Sequence, residues 1–153
     1  MKFHLAQINV GRLQAPVEDP SMAEFVDALE QINALADASP GFVWRLQDES
    51  GDATNLGDPN DPELLINMSV WDSVEALRDY VYASDHKAFL GRRKEWFQMP
   101  DGPNLALWWI EAGLLPTEAE GKAQLQHLQA HGPSAHAFTF KSLQPMPIEE
   151  KAG

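Results

Sequence analysis

Apolar and polar residues alternate along the first segment of the chain. His4, Ala6, Ile8 and Val10 fall on one side of this segment. Alternation with a period of two predicts a half-buried β-strand. Further strands are predicted where branched and aromatic residues cluster, at 42–47, 64–71, 105–110 and, as a short last strand, 137–140.

Other segments repeat apolar residues every three or four positions. Phe25, Leu29 and Ile32 share one face of a predicted amphipathic helix, and Ser21 with Glu24 forms a predicted capping box at its start. Three later helix starts are predicted: Asp72 as a cap with Glu75 three residues on, Ser84 before a helix at 85–97, and a Thr117–Glu120 capping box before a helix that ends near His131.

The order of these elements predicts the fold. Strand, helix, strand, strand, helix, strand is the split βαβ pattern, so we expect an α+β, ferredoxin-like domain with an antiparallel sheet, an extra C-terminal helix and a short last strand. The domain is expected to span 1–142, with a flexible tail at 143–153. Helices are expected to cover only one face of the sheet. The other face is apolar, so the pattern predicts a homodimer that buries it.

Composition narrows the classes of function. Eleven basic and 23 acidic side chains give a formal net charge of −12, which disfavours nucleic-acid binding. The chain has no cysteine, which excludes disulfides and thiol chemistry. No apolar run approaches the roughly 20 residues that cross a bilayer, and the N-terminus does not resemble a signal peptide. We therefore expect a cytoplasmic protein with no membrane or nucleic-acid partner.

Several sequence runs resemble a known family. They are Gly-Phe-Val-Trp-Arg-Leu at 41–46, Ser-Val-Trp-Asp-Ser-Val-Glu-Ala-Leu at 69–77, Arg-Arg-Lys-Glu-Trp-Phe at 92–97 and Leu-Trp-Trp at 107–109. These runs are similar to an uncharacterised bacterial family grouped with the dimeric α+β barrels, the superfamily of the antibiotic-biosynthesis monooxygenases. The resemblance implies the dimeric barrel fold. The superfamily includes cofactor-independent quinol-type monooxygenases, haem-binding members, isomerases and stress-response proteins, so the resemblance leaves the function open.

Aromatic residues are the first candidates for a binding site. Five tryptophans could line a flat cavity for a planar hydrophobic ligand, or they could fill the core and a dimer interface. The candidates for substrate binding are Trp44, Trp71, Trp96 and Trp109, with Asn67, Phe89 and Glu111. Glu111 is either a cavity carboxylate or a strand-end residue in water.

His86 is the candidate catalytic residue. On a helix it shares one face with Phe89, Arg93 and Phe97. An imidazole beside a cation could transfer a proton, with Arg93 holding an anion. His86 could alternatively ligate haem, or it could form a single structural hydrogen bond at a helix end. We expect no cofactor, with haem as the alternative.

Polar residues on the strands form another candidate group. Gln7 and Asn9 share a face, as do Asn67 and Ser69. Because buried polar groups must be hydrogen-bonded, these residues predict either a pocket floor or an interface network. His127 and His131 have metal-ligand spacing, but the glutamate of the zinc-protease motif is missing, so we expect no metal.

The sequence thus leads to four hypotheses. The first is a monooxygenase-like enzyme that acts on a flat hydrophobic molecule and uses His86 for proton transfer. The others are a non-catalytic binding protein or sensor for such a ligand, a haem-binding protein, and an assembly module.

Overall fold

The computed structural model describes residues 2–15, 19–46, 64–82, 92–99, 102–145 and 147. The strands are β1 (Phe3–Arg12), β2 (Phe42–Arg45), β3 (Leu64–Trp71) and β4 (Leu105–Glu111). The helices are α1 (Ala23–Ala38), α2 (Val74–Val81), the short α3 (Arg93–Trp96) and α4 (Glu118–His131), with 3-10 turns at Pro20–Met22 and Phe140–Ser142. None of the helices in these ranges is long and apolar enough to cross a membrane.

The strands form one antiparallel sheet in the order β2-β3-β1-β4. The two strands that are joined without a described helix, β2 and β3, are neighbours, and β1 is central. This is the ferredoxin-like arrangement, so the fold class predicted from the sequence is confirmed. The predicted last strand at 137–140 is shorter than expected: Phe138 forms a single bridge to Leu107, and a 3-10 turn follows.

Of the four predicted helix starts, one has the predicted cap and two have other caps; Ser84 and the first part of its predicted helix at 85–97 lie outside the described residues. Thr117 and Glu120 form the expected capping box of α4. At the first helix a 3-10 turn comes before α1, and the Asp19 carboxylate, rather than Ser21, accepts the hydrogen bonds there. At α2 the cap is Ser73, whose hydroxyl accepts from the Ala76 amide, one residue later than predicted. The backbone N–H of Asp72 instead donates to the Gly41 carbonyl.

Helices cover both faces of the sheet. Ala36 of α1 and Leu77 of α2 pack on the face that carries Leu5 and Trp71. On the opposite face, a second cluster of buried residues joins α4 to the strands; it includes Ala6, Ile8, Ile66, Met68, Val70, Trp108, Leu125 and Leu128. The expectation that helices cover only one face is therefore wrong. The homodimer stays a prediction, but the uncovered face from which it was inferred does not exist.

Gly121 sets how closely α4 approaches the sheet. A Cβ at this position would lie 2.8 Å from the Met68 side chain and 3.0 Å from Ile8. Both distances are shorter than ordinary contact, so the absence of a side chain lets the helix lie directly on β1 and β3.

Beyond Phe138 the chain stays against the domain as far as residue 144. The Trp109 indole Nε1 donates to the Gln144 carbonyl at 3.1 Å. The sequence predicts a flexible tail from residue 143. Gln144, the second residue of that tail, is hydrogen-bonded to β4.

We predict that Gly121→Val destabilises the protein by roughly 1–3 kcal/mol, because overpacking forces α4 away from Met68 and Ile8. Urea unfolding measures the effect. Ala123→Val is the matched control, because Ala123 is exposed on the same helix and its replacement adds the same branched side chain without a steric clash. Equal stability of wild type and Gly121→Val would contradict this packing.

Candidate functional site

Four polar side chains lie side by side on the sheet face that α1 and α2 cover. The strand register pairs Gln7 with Ser69 and Asn9 with Asn67. We call these four residues the polar strip. Gln7 is 4% exposed and Ser69 is 6% exposed, whereas Asn9 and Asn67 are half-buried, so the strip runs from the buried sheet toward solvent.

Gln7 holds the strip together. Its Nε2 donates to Asn67 Oδ1 at 2.7 Å and to Ser69 Oγ at 2.8 Å, and its Oε1 accepts from Asn9 Nδ2 at 3.1 Å. Asn9 Nδ2 also donates to Asn67 Oδ1, at 3.2 Å. These contacts fix the Asn67 amide with its oxygen toward β1. Within the described part of the chain, the Nδ2 group of Asn67 has no hydrogen-bond partner.

An aromatic group closes one end of the strip. Trp71 is fully buried, and its Nε1 donates to Ser69 Oγ at 2.8 Å. The Tyr80 ring stacks on the Trp71 ring with 4.9 Å between centroids, and Phe42 meets Trp71 edge-on at 5.4 Å. The indole is therefore fixed by one hydrogen bond and two ring contacts.

A second aromatic group closes the other end. The Phe97 ring lies directly against Gly11, where an added Cβ would be only 2.5 Å from the ring. Phe25 of α1 meets Phe97 edge-on at 5.3 Å and Trp96 at 5.5 Å. The polar strip thus lies between two hydrophobic walls, an arrangement typical of pockets for planar organic ligands.

A charged pair lies next to the strip on β2. Arg45 is opposite Ser69 in the register, and its guanidinium donates to both Asp37 oxygens at 2.8 and 3.2 Å. Burial raises the pKa of Tyr80 far above its usual value, with Arg45 partly offsetting the shift. Tyr80 therefore stays protonated and donates to the Ile32 carbonyl at 3.3 Å. It is a hydrogen-bond donor and not a base.

The structure brings together some of the residues predicted from the sequence. Asn67 and Trp71 belong to the strip and its wall. Trp109 lies on the same face, half-buried in the cluster around Trp71, and Trp96 lies behind Phe97. Of the residues that the sequence did not single out, Tyr80 is the most closely involved.

Two predicted residues lie elsewhere. Trp44 packs in the cluster under α4, on the opposite face of the sheet, so it cannot share a pocket with Trp71. Glu111 is exposed at the end of β4, where its side chain is in water.

The structure does not test the predicted catalytic residues, His86 and Arg93. His86 and Phe89 lie outside the described residues, and so does the side chain of Arg93, which begins α3. The neighbouring Arg92 is an exposed ion-pair residue. It contacts Glu24, donates to Glu95 at 2.8 Å and lies 4.7 Å from the centre of the Trp96 ring.

Three histidines form a stack at the end of α4. The His127 ring lies 4.7 Å from that of His131 and 4.1 Å from that of His136. Among the described residues, no group of three or more ligating side chains is arranged to hold a metal ion. Burial, with smaller contributions from His136 and then His131, lowers the pKa of His127.

Comparison with known proteins defines the family. The family model described as "Domain of unknown function (DUF3291)" matches residues 4–152. The chain belongs to the DUF3291 family. No curated protein matches this DUF3291 member.

Solved structures with the same fold have low sequence identity to this chain. A protein of unknown function from Nitrosomonas europaea is 17% identical, with a TM-score of 0.52 over 75% of this chain and 96% of the other. SnoaB, a cofactor-independent oxygenase from Streptomyces nogalater, is 14% identical, with a TM-score of 0.51 over 75% and 98%. A candidate antibiotic biosynthesis monooxygenase from Nitrosomonas europaea is 13% identical, with a TM-score of 0.50 over 75% and 93%. The DUF3291 chain thus shares the α+β, ferredoxin-like fold of these solved structures.

We predict that Gln7→Ala destabilises this DUF3291 domain by roughly 2–4 kcal/mol, because it removes three hydrogen bonds from a largely buried network. Urea unfolding provides the measurement. The control is Gln129→Ala, which removes an exposed glutamine that donates to the Pro103 carbonyl at 2.8 Å. A similar loss for both variants would mean that the strip does not depend on Gln7.

We also predict that the domain loses stability as the pH falls below about 6.5, the ordinary pKa of histidine. Because the pKa of His127 is lowered in the folded protein, the unfolded chain binds a proton in this range that the folded chain does not. Thermal unfolding between pH 8 and pH 5 measures the trend. The slope is expected to be smaller for His127→Gln, and an unchanged slope in that variant would disprove this assignment.

Proposed function

We propose that this domain is a monooxygenase-like enzyme that oxidises a flat, hydrophobic phenol or related enol bound against the polar strip. The observation that supports this proposal best is the Asn67 amide, which is held by Gln7 and Asn9 between two aromatic walls and whose Nδ2 group has no partner among the described residues. The oxygenase activity named for SnoaB, which has the same fold, is consistent with it.

The proposed role of Asn67 is to hold the substrate oxygen. When a phenol or enol loses its proton, negative charge develops on that oxygen. A preorganised amide donor stabilises such a charge, and it does so more strongly where water is excluded. Gln7 fixes the orientation of the donor before the substrate binds, so little reorganisation is needed.

The proposed reaction needs no external reductant. The deprotonated substrate gives its electrons to O2 at a ring carbon; one oxygen atom becomes a carbonyl there and the other leaves as water. For anthrone, C14H10O and O2 give anthraquinone, C14H8O2, and H2O. His86 is proposed as the group that takes the proton and Arg93 as the group that holds the anion.

One observation favours a second candidate, a non-catalytic binding protein for the same class of ligand. In the described part of the chain, the side-chain hydrogen bonds of the strip involve amides, a hydroxyl and an indole, but no carboxylate or imidazole. Such a site could recognise a phenol without removing its proton.

Oxygen consumption with 1-naphthol and with anthrone tests the proposal. We predict that wild type consumes one O2 per product formed and that Asn67→Ala lowers kcat/KM by about 100-fold or more, because one preorganised donor is lost. Met68→Leu is the matched control, since Met68 is the next residue of β3 but packs under α4 on the opposite face.

The result also separates the two candidates. Saturable binding that Asn67→Ala weakens, without oxygen consumption, would favour the binding protein. Turnover that Asn67→Ala leaves unchanged would exclude the strip as the site of the reaction.

A further inference from the structure

We infer that Asn33 of α1 forms a second polar wall opposite the polar strip, so that the site selects ligands with hydrogen-bonding groups on two opposite edges. This inference rests on the proposed function, because it assumes that the strip binds the ligand.

The position of Asn33 follows from the residues around it on α1. The buried residues of this helix are Phe25, Leu29, Ile32, Asn33 and Ala36. Leu29 packs in the cluster that contains Leu65, in the sheet row of Gly11. Ala36, about two helical turns later, packs in the cluster that contains Trp71.

The polar strip occupies the two sheet rows between those points. Leu65 and Trp71 are at its two ends in the register of β3, with Asn67 and Ser69 between them. Asn33 lies between Leu29 and Ala36 on the same side of the helix, so it lies above the strip. The Tyr80 hydroxyl, which donates to the carbonyl of the preceding Ile32, belongs to the same region.

The Asn33 side chain is buried but not satisfied within the domain. It is only 7% exposed, and it makes no hydrogen bond to any described residue. Among the described residues, three side-chain atoms have neither solvent contact nor a hydrogen-bond partner: His4 Nδ1, Glu118 Oε1 and Gln124 Oε1. The amide atoms of Asn33 are not among these three. The amide therefore keeps some contact with solvent, so the protein does not fill all of the space next to it.

A buried amide without a partner destabilises the folded state. Position 33 lies within an apolar stripe where leucine would serve packing better. A mostly buried amide that only solvent can hydrogen-bond is explained if a ligand supplies those hydrogen bonds when it binds, since residues that serve binding are often suboptimal for stability.

The combination of two walls defines the ligand class. Asn67 on the sheet offers unpaired N–H groups, and Asn33 on the helix offers both a donor and an acceptor. A planar fused-ring molecule with an oxygen function at each end would pair with both walls, whereas one with a single oxygen would pair with only one.

Isothermal titration under anaerobic conditions, with 1,5-dihydroxynaphthalene and 1-naphthol, tests the inference without relying on turnover. We expect Asn33→Leu to weaken binding of the diol by about 10-fold, the effect of one lost hydrogen bond, and to change 1-naphthol binding by less than about 2-fold. We also expect the same variant to raise the Tm, because it removes an unsatisfied amide. Gln31→Leu, an exposed position on the same helix, is the control and should change neither affinity.

The outcomes separate the inference from the proposed function. Suppose that both probes bind and that Asn67→Ala weakens the binding of both. If Asn33→Leu then leaves the ratio of the two affinities unchanged, the proposed role of Asn33 is wrong, while the polar strip is still supported as the binding site. If neither probe binds, or Asn67→Ala has no effect, the proposed site itself fails. A lower Tm in Asn33→Leu together with unchanged binding of the diol would also overturn the inference, because Asn33 would then serve the fold and not the ligand.

Discussion

The hydrogen bonds of the Gln7 side chain are the constraint on which the rest of the site depends. Gln7 lies on the central strand of a sheet that is covered on both faces, so its amide has almost no access to water. A buried amide is tolerated only when it is hydrogen-bonded. Gln7 meets this requirement with three neighbours, and each of them is thereby fixed in position. The orientation of Asn67, and with it the direction of its unpaired donors, follows from that requirement.

The alternation of β1 divides the chemistry of the domain between two faces. Ala6 and Ile8 pack under α4, where Gly121 lets the helix lie close to the sheet. Gln7 and Asn9 face α1 and α2. A shift of one residue would exchange these faces. The apolar packing under α4 therefore fixes the register, and the register places the amides of β1 beside those of β3.

The sequence predicts the strands well because alternation in the first strand and clusters of branched and aromatic residues in the others are local signals. It could not predict the cover of the second face. Helix α4 buries only Gly121, Leu125 and Leu128 among glutamines and histidines, so it does not have the pronounced apolar stripe of a core helix. The sequence also could not predict which face of the sheet carries Trp44, because the local pattern does not show an irregular register. Simple alternation places Trp44 on the face of Phe42, but the register shifts between the two residues and moves the indole to the other face.

The candidate site shows the same division between local and long-range information. Gln7 could be placed on one face with Asn9, and Asn67 with Ser69, because alternation sets the faces within a single strand; the register between the strands came only from the structure. Asn33 and Tyr80 could not, because their part in the site depends on how two helices lie across the sheet.

A signal for Asn33 exists nevertheless: a carboxamide at a position where the helical spacing calls for an apolar residue. Such a residue departs from the pattern that stabilises the fold, and departures of this kind concentrate at functional sites. The strip and Asn33 differ in this respect, since the strip satisfies most of its hydrogen bonds internally and Asn33 satisfies none with its side chain among the described residues. Asn33 is therefore the part of the proposed site whose conformation and energy depend most on what binds between α1 and the sheet.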